Sequence, residues 1–228
     1  MIAIDGPASS GKSVLGEALA RALGYTYFDT GALYRTVTWL ALCRGIDVAD
    51  ETAVAALARD ARVDIQRPTV DDGRQYTVLA DGEDVTWCIV RPEVDAKVSV
   101  VSAHPKVREA LLECQRKIAA SGGVVMVGRD MGTVVVPDAD VKVYLKAALE
   151  VRGRRRYQQM VERGQCVEYQ RVLETLRLRD SIDSGRAAAP LKPAPDAFIL
   201  DNSEMTIDQE LELVLALVKE KVERAQGK

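Results

Sequence analysis

The pattern of hydrophobic and polar residues changes repeatedly along the chain. Short apolar runs, typical of strands, alternate with stretches in which apolar residues recur at helical spacing. A short apolar run ends at Asp5, and apolar residues then recur at helical spacing as far as Leu23, where Gly24 is placed to end a helix. The apolar and aromatic stretch 25–29 predicts a second strand. A strand, a loop, a helix and a strand in this order predict parallel strands joined by a right-handed crossover.

The same alternation continues to the C-terminus. Helices are predicted over residues 31–44, 50–61, 92–121, 152–164 and 167–179. The helical stretch 92–121 is predicted to consist of two pieces, with a break near His104-Pro105. A continuous apolar run, typical of a buried parallel strand, covers residues 124–127, and further strands are predicted over 141–145 and 197–201. Thr206 and Gln209 form a capping box that opens a last helix. The pattern therefore predicts an α/β fold.

The pattern changes between about residues 62 and 92. Three short strands are predicted there, with the turn pairs Asp72-Gly73 and Asp81-Gly82 between them, and such pairs are typical of β-hairpins. We interpret this region as an inserted antiparallel subdomain that can close over a substrate. A surface hairpin without a function is the alternative.

The loop between the first strand and the first helix matches the phosphate-binding pattern G-x-x-x-x-G-K-[ST], known as the P-loop. Its residues are Gly6, Pro7, Ala8, Ser9, Ser10, Gly11, Lys12 and Ser13. Glycines let backbone N–H groups converge on a phosphate chain, and the positive end of the helix strengthens the field there. Lys12 is predicted to reach the β- and γ-phosphates, and the Ser13 hydroxyl to face a Mg²⁺ ion.

Charged side chains follow two of the strands, where ligands of open α/β sheets bind. Asp29, Thr30 and Arg35 follow the second strand, and they are either a second-substrate site or a helix cap with an exposed arginine. Arg129 and Asp130 follow the apolar run 124–127. They are placed for binding a ligand, or they pair with each other on the surface.

The densest positive cluster lies in the helix predicted over 152–164. It contains Arg152, Arg154, Arg155 and Arg156. A solvated helix face or an RNA contact is possible, but in an acidic P-loop protein we favour a mobile lid whose arginines close on a triphosphate.

Composition narrows the class of protein. The 228 residues carry a formal net charge of −3, which disfavours a general nucleic-acid or membrane-surface binder. The four cysteines are scattered and fit a reducing cytoplasm, and neither a signal peptide nor a membrane span is expected. His104 is the single histidine, and we interpret it as a capping or packing residue. The guanine-reading pattern N-K-x-D of regulatory GTPases does not occur.

Four groups of residues together resemble bacterial cytidylate kinases, and the resemblance covers nearly the whole chain. The matching segments are Ile4–Pro7 with Gly11–Ser13, Asp29–Arg35, Gly128–Val135 with Pro137–Ala139, and Arg179-Asp180 to Asp183 with Arg186 and Ala189–Leu191. The block Gly128–Thr133 and the spacing of Arg179, Asp183 and Arg186 are far more specific for this family than the P-loop is. Ser9 and Ser10 depart from relatives that often have a glycine and a small residue there.

The resemblance implies a P-loop nucleoside monophosphate kinase fold: a five-stranded parallel sheet flanked by helices, a small inserted antiparallel β subdomain and a helical lid. It implies a single kinase domain over 1–228, with a core of 1–61 and 93–228, an insert of about 62–92 and a lid of about 151–166. It also implies a cytoplasmic monomer, with Mg²⁺, that transfers the γ-phosphoryl group of ATP to CMP or dCMP. From the P-loop and the lid alone, UMP or a small metabolite is an alternative acceptor.

The resemblance also implies roles for single residues. The expected catalytic residues are Lys12, Arg129 and Arg186. The eight P-loop residues, together with Arg154 and Arg155, are expected to bind ATP. The expected acceptor ligands are Asp29 and Thr30 at the end of the second strand, Ser99, Arg108 and Asp130 on the cytosine ring, Arg35, Arg129 and Arg186 on the phosphate, and Arg179 and Asp183 near the sugar.

Overall fold

A computed structural model describes residues 1–162 and 164–226, and the chain divides into two compact units. The first unit comprises residues 1–27 and 123–228, and the second comprises residues 28–122. In chain order the strands are β1 Ile2–Asp5, β2 Thr26–Asp29, β3 Val63–Gln66, β4 Thr77–Ala80, β5 Glu83–Asp84, β6 Val124–Gly128, β7 Val141–Lys146 and β8 Phe198–Asp201. The helices are α1 Lys12–Leu23, α2 Thr30–Cys43, α3 Glu51–Asp60, α4 Pro92–Ala103, α5 Pro105–Ala120, α6 Leu149–Glu162, α7 Tyr169–Gly185 and α8 Ile207–Gln226, with a short π-helix at Met131–Val135.

Within the described residues, five strands form one parallel sheet in the order β2-β6-β1-β7-β8. In the registered pairs Ile2 lies opposite Val125 of β6 and Val141 of β7. Every residue of β1 and β6 is buried. Burial on both faces explains why these strands are continuous apolar runs, and the predicted fold class is confirmed.

Helices α1 and α8 contribute to the main core of the first unit. Leu15 and Leu19 of α1 are buried in it, together with Val214 and Val218 of α8. The predicted capping box opens α8, since the Thr206 N–H donates to Gln209 Oε1 over 2.9 Å. Gly24 ends α1 in the left-handed conformation, as the sequence predicts.

The second unit contains a three-stranded antiparallel sheet in the order β3-β4-β5. Asp81 and Gly82 join β4 to β5 with φ of 51° and 90°, as a two-residue hairpin turn requires. The turn predicted at Asp72-Gly73 is wrong in detail, because residues 67–76 form one longer connection and β4 begins only at Thr77. The Asp72 carboxylate instead accepts hydrogen bonds from Arg74 and from the Trp87 indole, both in the same unit.

The break between α4 and α5 falls at His104, as predicted. Pro105 begins α5, and the His104 Nε2 atom lies 2.8 Å from the Val48 carbonyl oxygen. This contact agrees with a packing role for the ring.

Two elements differ from the sequence-based prediction. Helix α7 continues to Gly185, although the pattern predicted an end at Arg179. Its last turns include the buried Asp183, which pairs with Arg129, so a tertiary contact outweighs the weak helix propensity of the Ser- and Gly-containing end. The π-helix after Asp130 was not predicted. No helix in residues 1–162 and 164–226 is long and apolar enough to cross a membrane.

Candidate active site

The predicted P-loop lies between β1 and α1. Gly6 has φ of 151°, and a Cβ atom there would lie 2.3 Å from the Leu145 carbonyl oxygen, so only glycine fits. Gly11 caps α1 with φ of 97°. Lys12 is buried, and its ammonium donates to the Pro7 carbonyl over 2.7 Å. The loop therefore curls around the lysine at the start of the helix, the geometry that a phosphate site needs.

Ser9 also lies in the left-handed region, with φ of 59°. Ser9 is one of the two P-loop positions that the resemblance marks as departures from the family pattern. The loop thus keeps a glycine-like backbone with a serine in place, at a conformational cost on the order of 1 kcal/mol.

Two side chains from the C-terminal part of the first unit hold the P-loop carbonyls. Asn202 is fully buried and donates to the Ser10 carbonyl over 2.8 Å. Arg155 donates to the Asn202 carbonyl over 2.9 Å and lies 3.4 Å from the Ser10 carbonyl oxygen. The Asn202 contact was missed at the sequence level, because a single asparagine after a strand carries no signal.

Arg152 is the most firmly held member of the arginine cluster. Its buried guanidinium donates to Asp180 over 2.7 Å, to the Ala147 carbonyl over 3.1 Å and to the Ala8 carbonyl over 3.2 Å. Arg154 is exposed on the same helix. Residue 163, within the predicted lid, lies outside the described residues.

Asp5 connects the end of β1 to the segment after β6. Its two carboxylate oxygens accept the backbone N–H groups of Met131 and Gly132, each over 2.8 Å. Burial raises the pKa of Asp5 to about 6, although these two hydrogen bonds and the charge of Lys12 oppose the shift. The carboxylate fixes the backbone that follows Asp130.

Four predicted acceptor ligands of the first unit lie together. Arg129 Nε donates to Asp183 over 2.8 Å, and Arg186 lies 3.7 Å from Asp183 and 3.8 Å from Asp130. Burial favours a raised pKa for Asp183, but the charges of Arg129, Arg186 and Lys12 outweigh it and leave the pKa lowered. The result is an alternating set of guanidinium and carboxylate groups, with the half-buried Arg179 one turn before Asp183 on α7.

The remaining predicted acceptor ligands lie in the second unit. Asp29 caps α2 by accepting the Gly31 N–H over 2.8 Å, a contact that the capping alternative includes, and the buried Thr30 begins the helix. Arg35 on α2 pairs with Asp95 over 2.7 Å. Arg108 on α5 lies over the Tyr34 ring, 5.4 Å from its centroid, and donates to the Ser102 carbonyl over 3.1 Å.

The comparisons with known proteins give one consistent result. The family model for cytidylate kinase matches residues 2–220. The chain belongs to the cytidylate kinase family. The cytidylate kinase of Chloroflexus aggregans is 49% identical over 214 residues, covering 94% of this chain and 91% of that one. The cytidylate kinase of Herpetosiphon aurantiacus is 46% identical over 217 residues, covering 95% of this chain and 93% of that one.

A solved gluconokinase from Sinorhizobium meliloti is similar in fold. It has a TM-score of 0.52 at 17% identity and covers 99% of this chain and 94% of its own. At that identity the likeness concerns the fold alone.

Proposed function

We propose that this cytidylate kinase family member transfers the γ-phosphoryl group of ATP to CMP or dCMP, giving ADP and CDP or dCDP. The observation that carries the proposal is the P-loop in the same unit as the cluster Arg129, Asp130, Asp183 and Arg186. A donor-phosphate loop and a set of arginines with acidic partners are the two parts that phosphoryl transfer between nucleotides requires.

On the donor side, backbone N–H groups of residues 6–13 and the Lys12 ammonium would bind the β- and γ-phosphates. A phosphate oxygen of CMP attacks the γ-phosphorus, and the bond from that phosphorus to the β–γ bridging oxygen breaks, so ADP leaves with the electron pair. Because the attacking oxygen is already ionised near neutral pH, no general base is needed. The protein mainly aligns the two substrates and stabilises charge.

On the acceptor side, the proposed roles follow the chemistry of the groups. Cytosine offers an amine, a ring nitrogen acceptor and a carbonyl, which the Asp130 carboxylate, the Arg108 guanidinium and the Ser99 hydroxyl can satisfy. A wrong base that leaves one of these groups unpaired would cost on the order of 1–3 kcal/mol per group. Arg35, Arg129 and Arg186 would bind the acceptor phosphate, with Arg179 and Asp183 near the sugar.

The residues present fit Mg²⁺ as the cofactor of the donor. Ser13 offers a hydroxyl oxygen directly after Lys12, and Mg²⁺ typically takes few protein ligands beside phosphate oxygens and water. In the described part of the chain no three His, Cys, Asp or Glu side chains group as a metal site, which suits an ion held mainly by the nucleotide. When bound, Mg²⁺ supplies charge neutralisation on the phosphates.

The proposal extends to the setting of the enzyme. We infer a cytoplasmic monomer whose partners are ATP and CMP or dCMP, without nucleic acid or membrane. Cys43, Cys88, Cys114 and Cys166 are free thiols, which suits a reducing compartment. We also propose that the insert of about 62–92 and the lid of about 151–166 close over the substrates, since water must be excluded to prevent hydrolysis of ATP.

The proposed reaction is tested by ADP release with Mg-ATP against CMP, dCMP, UMP, AMP and GMP. We expect strong turnover with CMP and dCMP only, and Asp130→Asn should lower kcat/KM for CMP by at least tenfold because cytosine loses a buried partner. Comparable turnover with UMP would contradict the cytosine-reading role of Asp130. No turnover with any monophosphate would overturn the proposed function.

For Lys12→Ala we expect kcat to fall by a factor of about 100 or more, since the lysine stabilises charge that develops on the transferred phosphoryl group. Turnover under saturating Mg-ATP and CMP is the measurement, and the far-ultraviolet circular dichroism spectrum is compared to show an intact fold. Near-normal turnover in a folded variant would refute the role of Lys12.

A further inference from the structure

An ion pair in the second unit joins a predicted phosphate ligand to a carboxylate that has no assigned role. Arg35 Nη2 lies 2.7 Å from Asp95 Oδ1, and the two side chains are 24% and 19% exposed. The Arg35 Nη1 atom lies 3.5 Å from the Ile89 carbonyl oxygen. The guanidinium is thus held at one edge by a carboxylate, in a partly buried place where such a pair is stronger than on an open surface.

Asp95 occupies a particular position on α4. It lies four residues before Ser99, so the two residues share one face of the helix. Tyr34, the neighbour of Arg35 on α2, contacts Arg108 of α5. Helix α4 also packs against α2 and against α5, so Arg35, Ser99 and Arg108 lie on three neighbouring helices of this unit.

A long arginine side chain loses rotamer freedom when it is immobilised, and ligand binding must overcome that loss unless the side chain is already held in place. A guanidinium has five N–H donors, and a carboxylate at one edge still allows a phosphate to bind another. A carboxylate near the site also repels a phosphate dianion. Its presence is therefore unfavourable for binding unless it orients the arginine.

We propose that Asp95 is a positioning residue, which holds the Arg35 guanidinium in the orientation that binds the acceptor phosphate. The proposal rests on the proposed function, because it takes the acceptor to be a nucleoside monophosphate.

The test compares Asp95→Asn with the unchanged protein, using CMP and cytidine as ligands. Cytidine has the same base and sugar without the phosphate, so it reports binding that does not involve Arg35. We expect the Kd and KM for CMP to rise about tenfold in Asp95→Asn, with the inhibition constant of cytidine, the KM for ATP and the kcat at saturating CMP unchanged. Asp95→Glu should recover part of the CMP affinity.

Glu93→Gln is the matched control. Glu93 is exposed in the first turn of the same helix, so its substitution makes the same change in net charge without removing the ion pair. It should leave the Kd of CMP unchanged. In an Arg35→Met background, Asp95→Asn should cause no further loss of CMP affinity, because the residue through which Asp95 acts is gone.

Three results would overturn the proposal: an unchanged Kd for CMP, a tighter one, or an equal loss of cytidine affinity. Tighter binding would show that Asp95 competes with the phosphate for Arg35. If Asp95→Asn does not fold, Asp95→Glu and Asp95→Ser carry the same comparison. A protein that binds CMP no better than cytidine, and phosphorylates neither CMP nor dCMP, would instead refute the proposed function.

Discussion

At the scale of single residues, Asp5 shows how one buried carboxylate can fix a distant segment of backbone. Its two oxygens accept the N–H groups of Met131 and Gly132, directly after Asp130. Asp5 lies far from this segment along the chain, yet its carboxylate fixes the backbone next to Arg129 and Asp130. Charge on this residue is unfavourable because it is buried, and burial raises its pKa to about 6.

The sign of this shift predicts a pH dependence of stability. A raised pKa means that the folded state holds the proton more tightly, so the stabilisation is complete below about pH 4 and is lost as the pH rises through about 6. In urea denaturation at pH 4.5 and 7.0, the unfolding free energy of the unchanged protein should fall relative to that of Asp5→Asn, by about 2 kcal/mol between these two pH values. Parallel pH profiles of the two proteins would contradict the raised pKa.

At the scale of elements, Arg152 connects helix α6 to helix α7 and to the P-loop. Its side chain is 6% exposed and binds Asp180 of α7 and the carbonyls of Ala8 and Ala147. The sequence marked α6 as a mobile lid on the strength of its arginines. Within this helix, Arg152 and Arg155 bind groups of the first unit, and Arg154 is exposed.

We therefore expect Arg152→Ala to lower the unfolding free energy by about 2–4 kcal/mol, since it leaves Asp180 and two carbonyls short of a donor. The KM for ATP should also rise, because Ala8 belongs to the P-loop. Arg171→Ala is the control: Arg171 is exposed, and its pair with Glu168 at 3.9 Å contributes little. Equal unfolding midpoints for the two variants in urea would show that the contacts of Arg152 do not stabilise the fold.

At the scale of the whole molecule, the proposed acceptor ligands belong to two compact units. Arg35, Ser99 and Arg108 lie in residues 28–122, whereas Arg129, Asp130, Arg179, Asp183 and Arg186 lie in the other unit.

We expect CMP to slow amide hydrogen exchange in α4 and α5 and also in the segment that follows β6. At 100 times its Kd, CMP should raise the unfolding free energy by about 2.7 kcal/mol. Hydrogen exchange with mass spectrometry measures the first effect and thermal unfolding the second, with GMP as the ligand control. Unchanged exchange in the segment that follows β6 would contradict the proposed acceptor roles of Arg129 and Asp130.

The sequence by itself determined the features that depend on near neighbours in the chain. The P-loop, the hairpin turn at Asp81-Gly82, the helix start at Pro105 and the capping box at Thr206 each result from the conformations or hydrogen bonds of residues within a few positions of one another. The buried strands β1 and β6 were predictable as well, since burial on both faces leaves a continuous apolar run.

Only the tertiary structure decided which distant groups meet. Asn202 binds the Ser10 carbonyl across 192 residues, Asp5 binds Met131 across 126, and Arg35 pairs with Asp95 across 60. The last turns of α7 are helical although the pattern ended at Arg179, and Asp183 there is held by Arg129. These contacts depend on how the elements pack. The local pattern of apolar and polar residues predicts single elements, but it does not show which distant polar side chains come within hydrogen-bonding distance.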